Sequence, residues 1–307
     1  MAPNELTSPR RDRLLHLADR VRYRPGLRYV VPLTKALVKY RGKRRAHLLE
    51  AEFLALGTHR DYAVADAPDR AHYVVLTSDQ SVGRFIYSWG TYERNQLERA
   101  VERAHVALGK TIIDVGANLG TASISGLRAG WFDQALAIEA DPDNARLIRA
   151  NIALNGLDDV MTCLPVACGA ESGTARFAVD PARRGNSRVA LNGQIEVPMQ
   201  SLAEICAHQG LTVDDIGLIW VDVEGFEEQV IQGAGDLFTR VPWVLEIRSV
   251  LVDVAPLARL LQGRRVLVLS EHDQPSNREL SSTELADIIT GRVRDVALDV
   301  LVLPLGS

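Results

Sequence analysis

Cysteine, long apolar runs and a leader-like N-terminus are what this sequence lacks, and each shortage removes a class of protein. Its 307 residues hold three cysteines, Cys163, Cys168 and Cys206, an odd number without CxxC spacing. That argues against a disulfide scaffold or zinc site and fits a reducing, cytoplasmic setting. No uninterrupted apolar stretch reaches the ~18 residues of a spanning helix. The opening MAPNELTSPRRDRLL lacks the apolar core of a secretory signal. What remains is ordinary for a globular chain, 47% hydrophobic and 24% charged, which sets aside collagen-like, coiled-coil and wholly disordered readings.

The net charge of −4 is unevenly spread. Residues 1–60 carry 14 Lys/Arg against 5 Asp/Glu, a balance of +9. Lys35, Lys39 and Lys43 recur every four residues, and Leu33, Ala36, Leu37 and Tyr40 fall on another face. This predicts an amphipathic basic helix. It could be a solvated helix packed on the main domain, a contact with a membrane surface over residues 30–45, or a grip on an acidic partner. No aromatic interleaving marks a base-stacking surface, so nucleic acid is not the expected partner. Residues 1–70 read as a basic helical N-terminal extension, and 71–307 as the main domain.

Residues 72–89 read as extended, with a turn at Asp79-Gln80. A helix is expected from Tyr92 to Leu108, ending at Gly109. Thr111–Val115 is short, apolar and β-branched, the mark of a buried parallel strand. A helix over 119–129 stops at Gly130. Ala135–Ile138 is a strand, and Asp141-Pro142 opens a helix as N-cap and first helical residue. A third strand falls within Met161–Ala167. Two strands, 174–179 and 194–197, flank the loop Arg183-Arg184-Gly185-Asn186. Helix 201–209, strand 218–223, helix 227–238, strand 243–247, helix 256–262 and strands 265–269 and 296–303 complete the chain. Ser281 and Glu284 have capping-box spacing. Strands alternating with helices imply an α/β fold, a mainly parallel sheet covered on both faces.

Asp114-Val115-Gly116-Ala117-Asn118-Leu119-Gly120 directly follows the first strand of that alternation and opens a helix. Such a loop can aim backbone N–H groups and a positive helix end at a ligand. The spacing is neither G-x-G-x-x-G nor a P-loop. Asp114 suits a cationic ligand better than a pyrophosphate. Glu139, ending the next strand, could accept both hydroxyls of a ribose. Together they suggest a nucleoside carrying positive charge, of which S-adenosylmethionine (SAM) is the obvious case. The alternative is a tight turn whose acids cap helices.

The segments IIDVGANLGTAS (112–123), AIEADPDNARLIRANIALNG (137–156) and IWVDVEGFEEQVIQGA (219–234), with Gly90-Thr91-Tyr92-Glu93 upstream, resemble the FkbM-type family of SAM-dependent methyltransferases. The resemblance covers about residues 80 to 250. It implies a class I (Rossmann-like) methyltransferase fold, with a seven-stranded sheet ending in an antiparallel hairpin. It also implies SAM as methyl donor, and usually an oxygen acceptor. Carried onto this chain, it makes Asp114, Gly116, Asn118 and Gly120 the methionine- and sugar-side loop, with Tyr92 and Glu93 before it. Glu139 and Ala140 fall to the ribose, and Val166 and Ala167 to the adenine. The acidic adenine contact of many class I enzymes is missing there.

Asp222 and Glu224 close the strand before Gly225. Period-two alternation puts them on one side of an extended segment. The pair could supply a general base or hold a hard divalent cation. Otherwise, Asp222 binds the SAM amine and Glu224 caps a helix. Glu246 ends the next strand, paired with Arg248 or free for chemistry. His272 is the one histidine placed near that edge, with a suitable unperturbed pKa of ~6.5. No metal site is assigned. The expected activity is O-methylation of a small-molecule, glycan, lipid or peptide hydroxyl. The alternatives are a macromolecular methyltransferase gripping RNA or protein, and a SAM-binding module without catalysis. The oligomeric state is not legible.

Overall fold

The central strands Thr111–Val115 and Ile216–Val221 are buried at every position, so both of their faces must be covered, and the chain supplies helices to do it. The computed structural model describes residues 30–107, 109–249, 253–272, 274–276, 278–292 and 296–306, with side chains from residue 42 onward. In chain order, α1 (Val30–Leu56) precedes the hairpin β1 (Tyr62–Asp66) and β2 (His72–Leu76), then α2 (Val82–Trp89) and α3 (Arg94–Ala104). Next come β3 (Thr111–Val115), α4 (Thr121–Ala129), β4 (Gln134–Ile138), α5 (Pro142–Asn155) and β5 (Met161–Leu164). A small insertion holds β6 (Ala167–Gly169), β7 (Gly173–Ala178), β8 (Arg188–Val189) and β9 (Ile195–Ser201). The chain continues through α6 (Leu202–His208), β10 (Ile216–Val221), α7 (Glu227–Gln232), α8 (Leu237–Arg240) and β11 (Trp243–Arg248). It ends with α9 (Ala255–Leu260), β12 (Val266–Glu271), β13 (Gln274–Pro275), α10 (Ser282–Ile289) and β14 (Ala297–Val302).

The main sheet has the order β13-β12-β14-β11-β10-β3-β4-β5. Strands β11, β10, β3, β4 and β5 run parallel, and β14 runs antiparallel between β11 and β12. The count is eight rather than the expected seven, because the two residues of β13 pair onto the edge of β12. Alternation along the strands divides the interior. Ile112, Leu218, Trp220 and Val244 join one buried cluster, and Ile113, Ile219, Val221 and Leu245 the other. The insertion forms its own sheet, β6-β9-β7-β8.

Helix α1 packs on α2 through buried Ala46 and Phe53, with Phe53 5.2 Å from the Tyr87 ring. Residue 70 falls in the turn between β1 and β2. The free edge of β2 is tied to α5. Asn151 accepts from the Val74 N–H at 2.6 Å, and Asn155 bonds both N–H and C=O of His72, at 2.9 and 2.7 Å. The helical reading of residues 1–29 lies outside the described residues, as do the side chains of Leu33, Lys35, Ala36, Leu37, Lys39 and Tyr40. Lys43 is exposed. No described helix is long and apolar enough to cross a membrane.

Several elements differ from the sequence reading. Residues 82–89 are helical, not extended, because Val82 and Ile86 bury one helical face while the Asp79 carboxylate accepts from the Ser81 and Gly83 N–H groups. Helix α3 starts and stops inside the expected span, between left-handed Glu93 and His105. The strand expected within 161–167 is interrupted at Pro165: β5 joins the main sheet and β6 the small one. The helix over 227–238 breaks at Gly233 to Gly235. A Cβ at Gly233 would lie 2.0 Å from the Gly169 carbonyl oxygen, so glycine is needed where α7 meets β6.

Candidate active site

Strand β3 is the topological switch point: the chain moves from it to β4 on one side and returns at β10 on the other. Loops diverge there beyond the carboxyl ends of the strands, leaving a crevice. A cleft enclosing about 800 Å³, its solvent-open mouth included, lies at this place. Tyr92, Glu93, Asp114, Gly116, Asn118, Glu139, Ala140, Val166, Ala167 and Asp222 all line it. These ten residues come from five separate segments, and the sequence reading had singled out each of them.

The loop after β3 serves the fold more than expected. Gly116 and Ala117 both donate to the Ile138 carbonyl, at 2.9 and 3.1 Å, and Gly120 donates to Ala117 at 2.6 Å. The Asn118 N–H donates to Glu139 Oε2 at 2.7 Å. These amides are therefore not aimed at a ligand, contrary to the sequence reading. Gly116 is glycine for another reason: at φ 82°, a Cβ there would lie 1.8 Å from the Asp222 carbonyl oxygen. The loops after β3 and β10 touch backbone to backbone. Gly120 lies outside the cleft lining and packs towards Met161 and Ile148. In these two loops, Asn118 Oδ1 and Asp222 Oδ1 are buried acceptors without a partner.

Both acids of the loop reading do some capping. Asp114 Oδ2 accepts from the Ser123 hydroxyl and N–H, at 2.7 and 3.2 Å. Glu139 Oε1 accepts from the Asp141 N–H at 2.7 Å, so each of its oxygens has one protein donor. A carboxylate oxygen has two lone pairs, which leaves capacity on both for a ligand.

Carboxylates dominate the electrostatics. Burial pushes Asp114 up to about 6, against the opposing Ser123 hydrogen bonds. Burial likewise pushes Glu139 up to about 8. Asp222 is held well above the usual range by burial and then by Glu246, Glu93 and Glu224. Glu93 is raised by burial and then by Asp299, Glu246 and Asp114. The Tyr92 hydroxyl is raised by Glu93 first and burial second. Glu224 and Glu246 both rise to about 7, mainly through burial, with Arg248 working against the rise.

A raised folded-state pKa means that the native protein keeps protons the unfolded chain has released. Stability is then lost as pH climbs from the unfolded carboxylate range towards 8. The unliganded protein is accordingly expected to melt several degrees lower at pH 8 than at pH 5.5. A thermal-melt series in low-salt buffers measures this, and a flat profile would contradict the burial of these groups.

Asp222, Glu224 and Glu246 bring one carboxylate oxygen each within 4.8 Å of one another. Alternation along a strand is not the cause, since β10 ends at Val221. Glu224 turns back in a left-handed conformation, φ 53°. Buried Glu227 holds that turn by accepting from the Val223 and Gly225 N–H groups, at 3.3 and 3.2 Å. Glu246 is ion-paired with Arg248 and lines a second cavity with Glu227 and Gln229 rather than the main cleft. His272 is exposed, with φ 46°, and lines neither cavity.

Sequence reasoning missed Asn144, Arg184, Arg188 and Phe226, all of which line the cleft. Arg184 comes from the insertion and meets Asp141 at 2.7 Å and Asp143 at 3.1 Å. The only local signal was the Arg-Arg-Gly-Asn loop itself.

Fold and cleft together define a doubly wound α/β protein with an acid-rich crevice at its switch point. Residues 114–266 match the family described as the methyltransferase FkbM domain, and over that segment the chain belongs to it. No curated protein matches the chain. Among solved structures, it is similar to methyltransferase FkbM from Methylobacillus flagellatus KT, with 14% identity, TM-score 0.39, and 63% of this chain and 43% of that one covered. It is also similar to an M. jannaschii tRNA m1G37 methyltransferase, at 13% identity and TM-score 0.40, covering 80% and 55%. P. horikoshii TYW2 in complex with MeSAdo gives 13%, TM-score 0.41, 79% and 70%. The chain therefore spans about half the length of the first two.

Proposed function

We propose that the chain is a SAM-dependent O-methyltransferase acting on a hydroxyl of a small molecule. The observation that carries this reading is the carboxylate wall of Glu93, Asp114, Glu139 and Asp222 on one cleft, in a segment of methyltransferase type. The residues fit a cationic nucleoside. Asp114, Asp222 and Asn118 Oδ1 offer acceptors to a charged amino-acid end, and Glu139 has lone pairs left for ribose hydroxyls. Bound SAM supplies an electrophilic methyl group on a sulfonium sulfur. The chain's part is to align the acceptor hydroxyl, exclude water and accept one proton. Glu224, at about 7, has a pKa suited to a general base near neutral pH, and Asp222 lies beside it.

A cation in this cleft favours the charged carboxylates, so binding must release protons. Calorimetry with SAM and with its demethylated product, in two buffers of different ionisation enthalpy, tests this. Binding with net proton release near pH 7, tightening from pH 6 to 8, is the expected result. Absence of heat with both ligands would defeat the cofactor assignment.

A macromolecular acceptor is favoured by one observation, the run of exposed Lys43, Arg44 and Arg45 on α1. RNA binding that weakens steeply with salt would support that reading.

A further inference from the structure

The insertion places an arginine over the cleft in an arrangement the carboxylate wall does not explain. Arg184 sits in a helical turn, Arg184–Asn186, between β7 and β8. Its side chain is only 10% exposed. Both terminal nitrogens are spent on Asp141 and Asp143 at the start of α5, which leaves the Nε–H buried without an acceptor. The backbone around it is stitched to the opposite rim. The Arg184 N–H donates to Asp79, the Gly185 N–H to the Ser81 hydroxyl, and the Gln80 N–H to the Ala182 carbonyl, at 3.2, 3.3 and 2.7 Å. One turn along α5, Asn144 is 2% exposed, and its Oδ1 also has no donor. Both residues line the main cleft, with apolar Ala140, Val166, Phe177 and Val189.

A buried donor and a buried acceptor, each unsatisfied and fixed by its neighbours, cost stability unless a ligand completes them. They ask for a flat apolar ligand whose edge carries an acceptor next to a donor. Adenine has that edge twice: its 6-amino group lies between ring nitrogens N1 and N7. We propose that Arg184 and Asn144 read the adenine base, Nε–H donating to a ring nitrogen and Asn144 Oδ1 accepting from the 6-amino group. The Asp141 and Asp143 carboxylates hold the guanidinium so that its Nε–H is presented edge-on. The small sheet thereby serves as the base-specific wall of the cleft, in the place where the usual acidic contact is missing. This inference rests on the SAM reading above and names what discriminates the base.

The test compares two ligands, S-adenosylhomocysteine and S-inosylhomocysteine, by calorimetry. The inosine analogue exchanges the amino donor for a carbonyl oxygen and turns N1 from an acceptor into a donor, while N7 stays an acceptor and the sugar and amino-acid parts are unchanged. Wild type should prefer the adenosine compound by at least about tenfold, the worth of one such hydrogen bond plus an unsatisfied partner. Asn144→Leu should erase most of that preference. Arg184→Lys, which keeps a cation beside Asp141 but removes Nε–H, should weaken the adenosine compound with little change in melting temperature. Equal binding of both compounds by wild type, or full discrimination in Asn144→Leu, would overturn the inference and leave the SAM reading standing. Failure of wild type to bind either compound would overturn both.

Discussion

Gly116→Ala is expected to cost about 3–5 kcal/mol, the range of severe single substitutions, or to prevent folding altogether. The added Cβ would lie 1.8 Å from the Asp222 carbonyl oxygen. A backbone atom at the end of a central strand cannot swing aside as a side chain can. The left-handed φ of 82° adds strain for any residue with a Cβ. Gly130→Ala separates the two causes. It has φ 70°, yet nothing lies within 4 Å of its ideal Cβ. That variant should lose only about 1 kcal/mol. Chemical denaturation of both measures the contrast, and similar losses would mean that the β3 and β10 loops do not touch as described. Gly116 variants therefore report on the fold and are unsuited to probing ligand affinity.

Replacing Asp222, which lines the cleft, or its neighbour Glu224 by the amide should cost turnover far more than folding. Asp222→Asn or Glu224→Gln keeps shape while removing proton-accepting power. The residue that acts as base should lose roughly 10²–10⁴-fold in kcat, with the affinity for SAM nearly intact. Asp222→Asn also removes a repulsive neighbour from a crowded acid cluster, so its melting temperature at pH 8 should rise rather than fall. If Asp222 instead holds the ammonium end of the cofactor, affinity and activity will fall together. The three oxygens of Asp222, Glu224 and Glu246 within 4.8 Å are also close enough to supply part of a hard cation's oxygen shell. Loss of activity in chelator, with recovery in Mg²⁺ or Mn²⁺, would identify that role. Full activity of both amide variants, insensitive to chelator, would remove this cluster from the mechanism.

The sequence was most informative where one residue sets one local geometry. Asp141-Pro142 opens α5 as expected, with Asp141 accepting from the Asp143 N–H at 2.9 Å, and Gly130 and Gly156 close their helices in left-handed conformations. The parallel strands were legible because short apolar runs rich in β-branched residues, bounded by turn and cap residues, suit strands buried on both faces. The candidate cleft was largely legible too, since its acids stand at strand ends and strand ends converge at a switch point. What was hidden depended on long-range contact. The α2 segment has β-branched and aromatic residues, and only the Asp79 cap and burial of Val82 and Ile86 make it a helix. The Asp222–Glu224 proximity was inferred from strand alternation, whereas a left-handed turn held by Glu227 produces it. Arg184 was legible only as part of a loop and not as a cleft residue, because its partners are about forty residues away in sequence.

The amide side chains of Asn151 and Asn155 have a bearing on how this chain may be divided. One edge of β2 is occupied by β1, and the other is closed by the hydrogen bonds of α5 to His72 and Val74. A chain begun at residue 71 would keep the second closure and lose the first. Five residues of main chain, with buried Tyr73 and Val75 among them, would then stand as an open ladder able to recruit another copy. Self-association after such a cut would reflect a missing strand rather than a native assembly.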